Sequence, residues 1–94
     1  MAAYLIARIN VTDPEDYKAY SSQTVALAEA FGGRFLAKGG TQTQVEGISP
    51  DRHVIIEFPD HQAALDWYNS EAYQRILPIA TSSSARDIVI VDGV

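Results

Sequence analysis

The chain has 94 residues, with 7 Lys plus Arg against 12 Asp plus Glu, a formal net charge of −5. Hydrophobic residues make up 47% and charged residues 20%, which suits one folded domain and not a disordered chain. The acidic balance argues against nucleic acid and against an anionic membrane surface, both of which need clustered Lys and Arg. With no cysteine there are no disulfides, thiolate metal sites or cysteine nucleophiles. The start, Met1-Ala2-Ala3-Tyr4-Leu5, lacks the basic stretch and apolar core of a signal peptide. No apolar run approaches the ~20 residues of a membrane span. A cytoplasmic protein is expected.

Residues 3–11 alternate as a strand. Leu5, Ala7, Ile9 and Val11 form one face, and Tyr4, Ile6, Arg8 and Asn10 the other. Thr12-Asp13-Pro14-Glu15 is a helix start. A side-chain oxygen can accept from the free N–H groups of the first turn, and Pro14 stands where a missing N–H costs nothing. Tyr17, Tyr20, Thr24, Leu27, Ala28 and Phe31 recur at helical spacing, so the helix runs to about Phe31. Gly32-Gly33 then ends it. Residues 34–46 read as extended, with Gly39-Gly40 as a bulge, and a turn around Pro50 follows. His53 to Phe58 is the clearest strand, with Val54, Ile56 and Phe58 on one face and His53, Ile55 and Glu57 on the other.

Pro59-Asp60 opens a second helix with Ala63, Ala64, Trp67 and Tyr68 on its apolar side. Ser70 caps a short third helix carrying Tyr73, Ile76 and Leu77, which Pro78 disturbs. Residues 81–86 read as a Ser-rich loop, and Ile88 to Val91 as the last strand. The order strand, helix, strand, strand, helix, strand packs most economically as an α+β ferredoxin-like βαββαβ unit, with an antiparallel sheet and helices on one face. The other sheet face carries Tyr4, Ile6, Ile55 and one of the pairs Ile88/Ile90 or Val89/Val91. A half-apolar open face predicts a homodimer with the sheets face to face.

Several stretches resemble one family across nearly the whole chain. They include Ala7-Arg8-Ile9-Asn10-Val11-Thr12-Asp13-Pro14, Gly32-Gly33-Arg34-Phe35-Leu36-Ala37-Lys38-Gly39-Gly40, Val54-Ile55-Ile56-Glu57-Phe58-Pro59, Trp67-Tyr68-Asn69-Ser70 and Ile90-Val91-Asp92-Gly93. The family is that of domain of unknown function 1330, within the dimeric α+β barrel group. The resemblance implies the fold and the dimer. The wider group is similar to cofactor-free monooxygenases and small isomerases, an analogy of fold and not of site. Two positions depart from the family pattern: Ala80 stands where relatives tend to carry Arg, and Ser70-Glu71-Ala72-Tyr73 where they tend to read Ser-Pro-Glu-Tyr.

The candidate chemistry centres on Arg8 and Glu57, on neighbouring strands and the same non-helix face, with Asn10 and His53 beside them. One reading is a polar pocket in which Glu57 is a base and Arg8 holds an anionic oxygen. The other is an interface ion pair that fixes dimer register. Tyr17, Tyr20, Trp67, Tyr68 and Tyr73 form either the wall of a small-molecule cavity or ordinary core. The ligand-binding set is therefore Asn10, Tyr17, Tyr20, His53 and Trp67. His53 and His61 have no metal-ligand spacing, and neither a metal nor another cofactor is expected. Two functions follow. One is a small-molecule-binding homodimer, with cofactor-independent proton abstraction, isomerisation or oxygenation as its reaction class. The other is a non-catalytic module whose polar face only specifies the dimer.

Overall fold

A computed structural model describes all residues, Met1–Val94. The elements are β1 (Ala3–Val11), α1 (Pro14–Glu29), β2 (Arg34–Lys38), β3 (Arg52–Phe58), α2 (His61–Asn69), α3 (Glu71–Ser83) and β4 (Ser84–Asp92). The strands form one antiparallel sheet in the order β2-β3-β1-β4. This is the ferredoxin-like arrangement that the element order predicts.

Each helix starts where its cap residue dictates. The Asp13 carboxylate accepts from the Asp16 N–H at 3.1 Å, and the Asp60 carboxylate from the Ala63 N–H at 2.7 Å. The Ser70 hydroxyl accepts from the Tyr73 N–H at 3.2 Å. These bonds satisfy donors that have no partner inside the helix. At the far end of α1, Gly32 takes φ 82°, and the Gly33 N–H returns to the Ala28 carbonyl at 2.8 Å. A side chain at Gly32 would carry the cost of left-handed backbone and would strike Pro59.

Two elements differ from the sequence expectation. β2 stops at Lys38 instead of continuing to residue 46. Gly39 and Gly40 both adopt positive φ, at 73° and 86°, which turns the chain out of the sheet. The Ser-rich segment is not a loop. α3 continues through Ser83, and β4 begins at Ser84. The Ser83 hydroxyl donates to the Ile79 carbonyl and the Ser84 hydroxyl to the Ala80 carbonyl, both at 2.6 Å. These bonds give the hydroxyls partners on the backbone of the last turn. Pro78 lies inside α3 without ending it.

The register fixes which residues share a face. Leu5 stands between Ile56 and Ile90, and Ala7 between Val54 and Ile88. These rows face the helices. They join Tyr17, Tyr20, Ala28, Ala64, Trp67, Tyr73 and Ile76 in one core. Tyr4, Ile6, Ile55, Val89 and Val91 therefore share the open face, where Val89 is 54% and Val91 44% exposed. No helix is long and apolar enough to cross a membrane.

Phe58 is fully buried and leans on Trp67, with ring centroids 5.6 Å apart. Phe58→Ala is expected to cost about 3–5 kcal/mol. Urea unfolding at fixed protein concentration checks this, and a loss below about 1 kcal/mol would contradict the packing described.

Candidate functional site

The helix-covered face of the sheet ends in an unusual row. Ile9 on β1 pairs with Arg52 on β3 and with Arg86 on β4. Paired residues in adjacent strands present their side chains to the same face, so two arginines flank a fully buried isoleucine. The first half of α1 covers this row with Tyr17, Tyr20 and Ser21. Between them lies a cavity also lined by Trp67, Lys38 and Phe35. The cavity is about 30 Å³, room for a water or two. It adjoins an outer cleft of about 260 Å³ that shares Tyr17, Ser21 and Arg52 and adds Val11, Pro14 and Lys18.

Arg86 is held by phenols and not by a carboxylate. It donates to the Tyr20 hydroxyl at 3.0 Å and to the Tyr73 hydroxyl at 2.9 Å. The two hydroxyls are 2.7 Å apart, so one donates to the other. Burial raises the Tyr20 phenol above its ordinary value, and the neighbouring Tyr73 adds to this, outweighing Arg86. Burial likewise raises Tyr17. The guanidinium of Arg86 is pushed further toward its charged form by the two phenols, against the cost of burial. Tyr17 and Tyr20 are therefore protonated hydrogen-bond donors at neutral pH and not bases.

Arg52 is wedged under the turn that leaves β2. A Cβ at Gly39 would lie 2.5 Å from its guanidinium. Its Nε is buried with no partner, and so is the indole nitrogen of Trp67. The Ser21 and Thr24 hydroxyls donate to the α1 backbone, to the Lys18 and Ser21 carbonyls. No carboxylate and no imidazole lines the cavity.

Of the residues expected to bind a ligand, Tyr17, Tyr20 and Trp67 come together here. Asn10, His53, Arg8 and Glu57 do not. They belong to the opposite sheet face. Arg8 pairs in register with His53, whereas Glu57 pairs with Tyr4. Four residues of strand, about 13 Å, separate Arg8 from Glu57 within the chain. Glu57 instead accepts from Arg34 at 2.9 Å and from the Tyr4 hydroxyl at 3.2 Å. His53 Nδ1 lies 2.9 Å from Gln42 Oε1, and Asn10 Oδ1 accepts from the Asp51 N–H. No group of three His, Asp or Glu residues is placed to hold a metal.

Arg52, Arg86 and Lys38 are the site residues that sequence reasoning missed. Alternation carried back from Val54 places Arg52 on the apolar face, and alternation from Ile88 does the same for Arg86. A charge in phase with core residues is the signal. It was hidden because residues 81–86 read as a loop and Arg52 lies just outside the strand expected from His53 to Phe58.

A ferredoxin-like fold with an aromatic cavity between helices and sheet defines the class. The family model for domain of unknown function 1330 matches residues 2–94, and the chain belongs to that family. Among solved structures, the chain is similar to RPA0582 of Rhodopseudomonas palustris, a protein of unknown function. That match has a TM-score of 0.81 and 14% identity over 99% of this chain and 82% of that one. SnoaB of Streptomyces nogalater, a cofactor-independent oxygenase, matches with a TM-score of 0.68 and 12% identity over 99% and 93%. A dimeric ferredoxin-like protein of unknown function from Thermobifida fusca matches with a TM-score of 0.67 and 14% identity over 99% and 92%. No curated protein sequence matches the chain.

The raised Tyr20 phenol gives stability a defined pH dependence. Below about pH 10 the phenol is neutral in both folded and unfolded chains, and stability is flat. Above it the unfolded chain loses the proton while the folded chain keeps it, so stability falls by about 1.4 kcal/mol per pH unit from this group. Urea midpoints between about pH 8 and 11.5 should show this decline, and Tyr20→Phe should make it shallower. An unchanged slope in the variant would contradict the burial of this hydroxyl.

Proposed function

We propose that the protein is a homodimer in which each protomer binds a compact aromatic molecule between α1, α2 and the sheet. The observation that carries this reading is the cavity itself. Tyr17, Tyr20 and Trp67 supply flat apolar walls, and Arg52 and Trp67 add buried N–H donors that lack protein acceptors. A ligand with an acceptor atom satisfies donors that the protein leaves unmet. The cavity is small as it stands, so a ring enters from the outer cleft by displacing side chains at the mouth, Lys38 first.

The open face supports the dimer. Ile6 and Ile55 pair across the sheet there, and Val89 and Val91 stand exposed beside them. The dimeric neighbour from Thermobifida fusca has the same fold. In this reading Arg8, Asn10, His53 and Glu57 set the register of the sheet-to-sheet contact, which leaves the cavity on the far side of each sheet open to solvent.

Tyr20 and Arg86 can stabilise negative charge that develops on a bound oxygen. No cavity group is built to remove a proton. The site therefore suits a compound that is already activated. The likeness to a cofactor-independent oxygenase supports this class through the fold alone.

Native mass spectrometry of the protein, mixed with a set of one- and two-ring aromatic compounds, tests both halves. The expected species is a dimer, at twice the 10.3 kDa chain, carrying added ligand mass. Ser21→Trp fills the mouth and should abolish the adduct while the dimer persists. Val89→Glu puts charge into the open face and should shift the protein to monomer. A monomeric native protein, or an adduct unaffected by Ser21→Trp, would overturn the reading.

A further inference from the structure

Charge is distributed unevenly among the seven basic residues. Arg34 and Arg75 lie on the surface in ion pairs with Glu57 and Glu71. Lys18, Lys38, Arg52 and Arg86 all line the cavity or its outer cleft. None of these four has a carboxylate within 4.0 Å. The seventh, Arg8, also has none, but it is exposed to solvent on the opposite sheet face. The chain as a whole carries −5, so carboxylates were plentiful and yet none is placed here. Two of the four, Arg52 and Arg86, stand in one row across three strands, about 10 Å apart at the backbone. Two like charges, each partly buried and facing one cavity, repel each other unless an anion lies between them.

The hydroxyl protons point the same way. Tyr20 and Tyr73 each accept from Arg86 and share one proton between them. Two hydroxyls carry two protons, so one O–H is left without an acceptor. Tyr73 is fully buried and lies outside the cavity lining, whereas Tyr20 lines it. The arrangement that leaves no buried proton unmet has Tyr73 donating to Tyr20 and Tyr20 donating into the cavity. The cavity then offers the Tyr20 O–H, the Arg52 Nε–H and the Trp67 indole N–H to whatever enters.

We propose that the ligand is a one-ring aromatic anion, whose charged oxygen docks between Arg52 and the Tyr20–Arg86 pair while its ring lies against Trp67. This rests on the cavity being a small-molecule site, and it adds the sign of the charge. Lys18 and Lys38 at the mouth draw the anion in and screen it from the acidic surface. The charged oxygen is that of a carboxylate or of an ionised phenol, which share the same chemistry at this site.

The chain has one tryptophan, so a single indole N–H resonance reports on the cavity. Titration with benzoate and with benzamide, nearly equal in shape and differing in charge, separates the two ideas. Benzoate is expected to shift that resonance with at least tenfold higher affinity than benzamide. The preference should shrink as salt rises. Arg52→Met should weaken benzoate about tenfold and benzamide by much less. Added 4-nitrophenol, ionised above neutral pH and neutral below it, asks whether a phenolate binds as the carboxylate does. Equal binding of benzoate and benzamide would overturn the anion while keeping the small-molecule site. Binding of neither would overturn both. An Arg52→Met protein that binds benzoate unchanged would overturn the docking position.

Discussion

The structure turns on a guanidinium placed where a hydrophobic side chain would ordinarily go. Arg86 occupies a core-phase position on β4, in the row that continues Ile90 and Ile88. It is tied to Tyr20 on α1 and Tyr73 on α3, so one side chain joins both helices to the sheet edge. An isolated cation cannot be buried cheaply. Here its charge is shared between two phenol oxygens, and the Tyr20 ring lies 4.9 Å below it. Neutral phenols meet the hydrogen bonds of the guanidinium without cancelling its charge. The helices are thereby fixed around a site that stays positive. A carboxylate at the same place would have cancelled the charge of Arg86.

That choice divides the sheet into two faces with different tasks. On the helix side, three apolar rows hold the fold together, and the row at the open end of the helix layer carries the two arginines. On the other side, Arg34 and the Tyr4 hydroxyl neutralise Glu57, while Ile6, Ile55, Val89 and Val91 offer apolar surface. Glu57 is paired on the open face, whereas no carboxylate lies beside the cavity. Two surfaces of one small sheet can then serve self-association and ligand binding without competing for residues.

Much of this was legible from local pattern. β1 and β3 alternate without interruption because one face of each is buried and the other is not. Asp13, Asp60 and Ser70 announce their helices because the first turn always needs an acceptor. Tyr17, Tyr20 and Trp67 were legible as a set because helical spacing puts aromatic residues on one stripe. One misreading arises because alternation gives the face of a residue and not its register. Arg8 and Glu57 do share a face, yet antiparallel pairing sets them four residues apart. Ser82, Ser83 and Ser84 look like loop by composition, but their hydroxyls bond back onto α3 carbonyls and prolong it. That extension also shifts where β4 begins, which is why Arg86 reads as loop in the sequence and its alternation with Ile88 goes unused.

The small volume of the cavity follows from the same economy. Ala7, Ala28, Ala64 and Ala80 are small residues in a core otherwise built from tyrosine, tryptophan and branched aliphatics. Small residues set the helices close to the sheet, and the empty space between Arg52 and Arg86 shrinks to water size. Close packing of this kind raises the cost of holding two guanidiniums together, because fewer waters remain to screen them. In the proposed complex an entering anion offsets the repulsion between the two guanidiniums at the same moment as it gains its own hydrogen bonds. Size and charge then select together. A neutral ring must open the mouth at Lys38 with no electrostatic return, whereas an anion opens it and quiets the repulsion behind it. Discrimination at this site thus comes from what the protein omits beside the cavity, a carboxylate, as much as from the groups it places there.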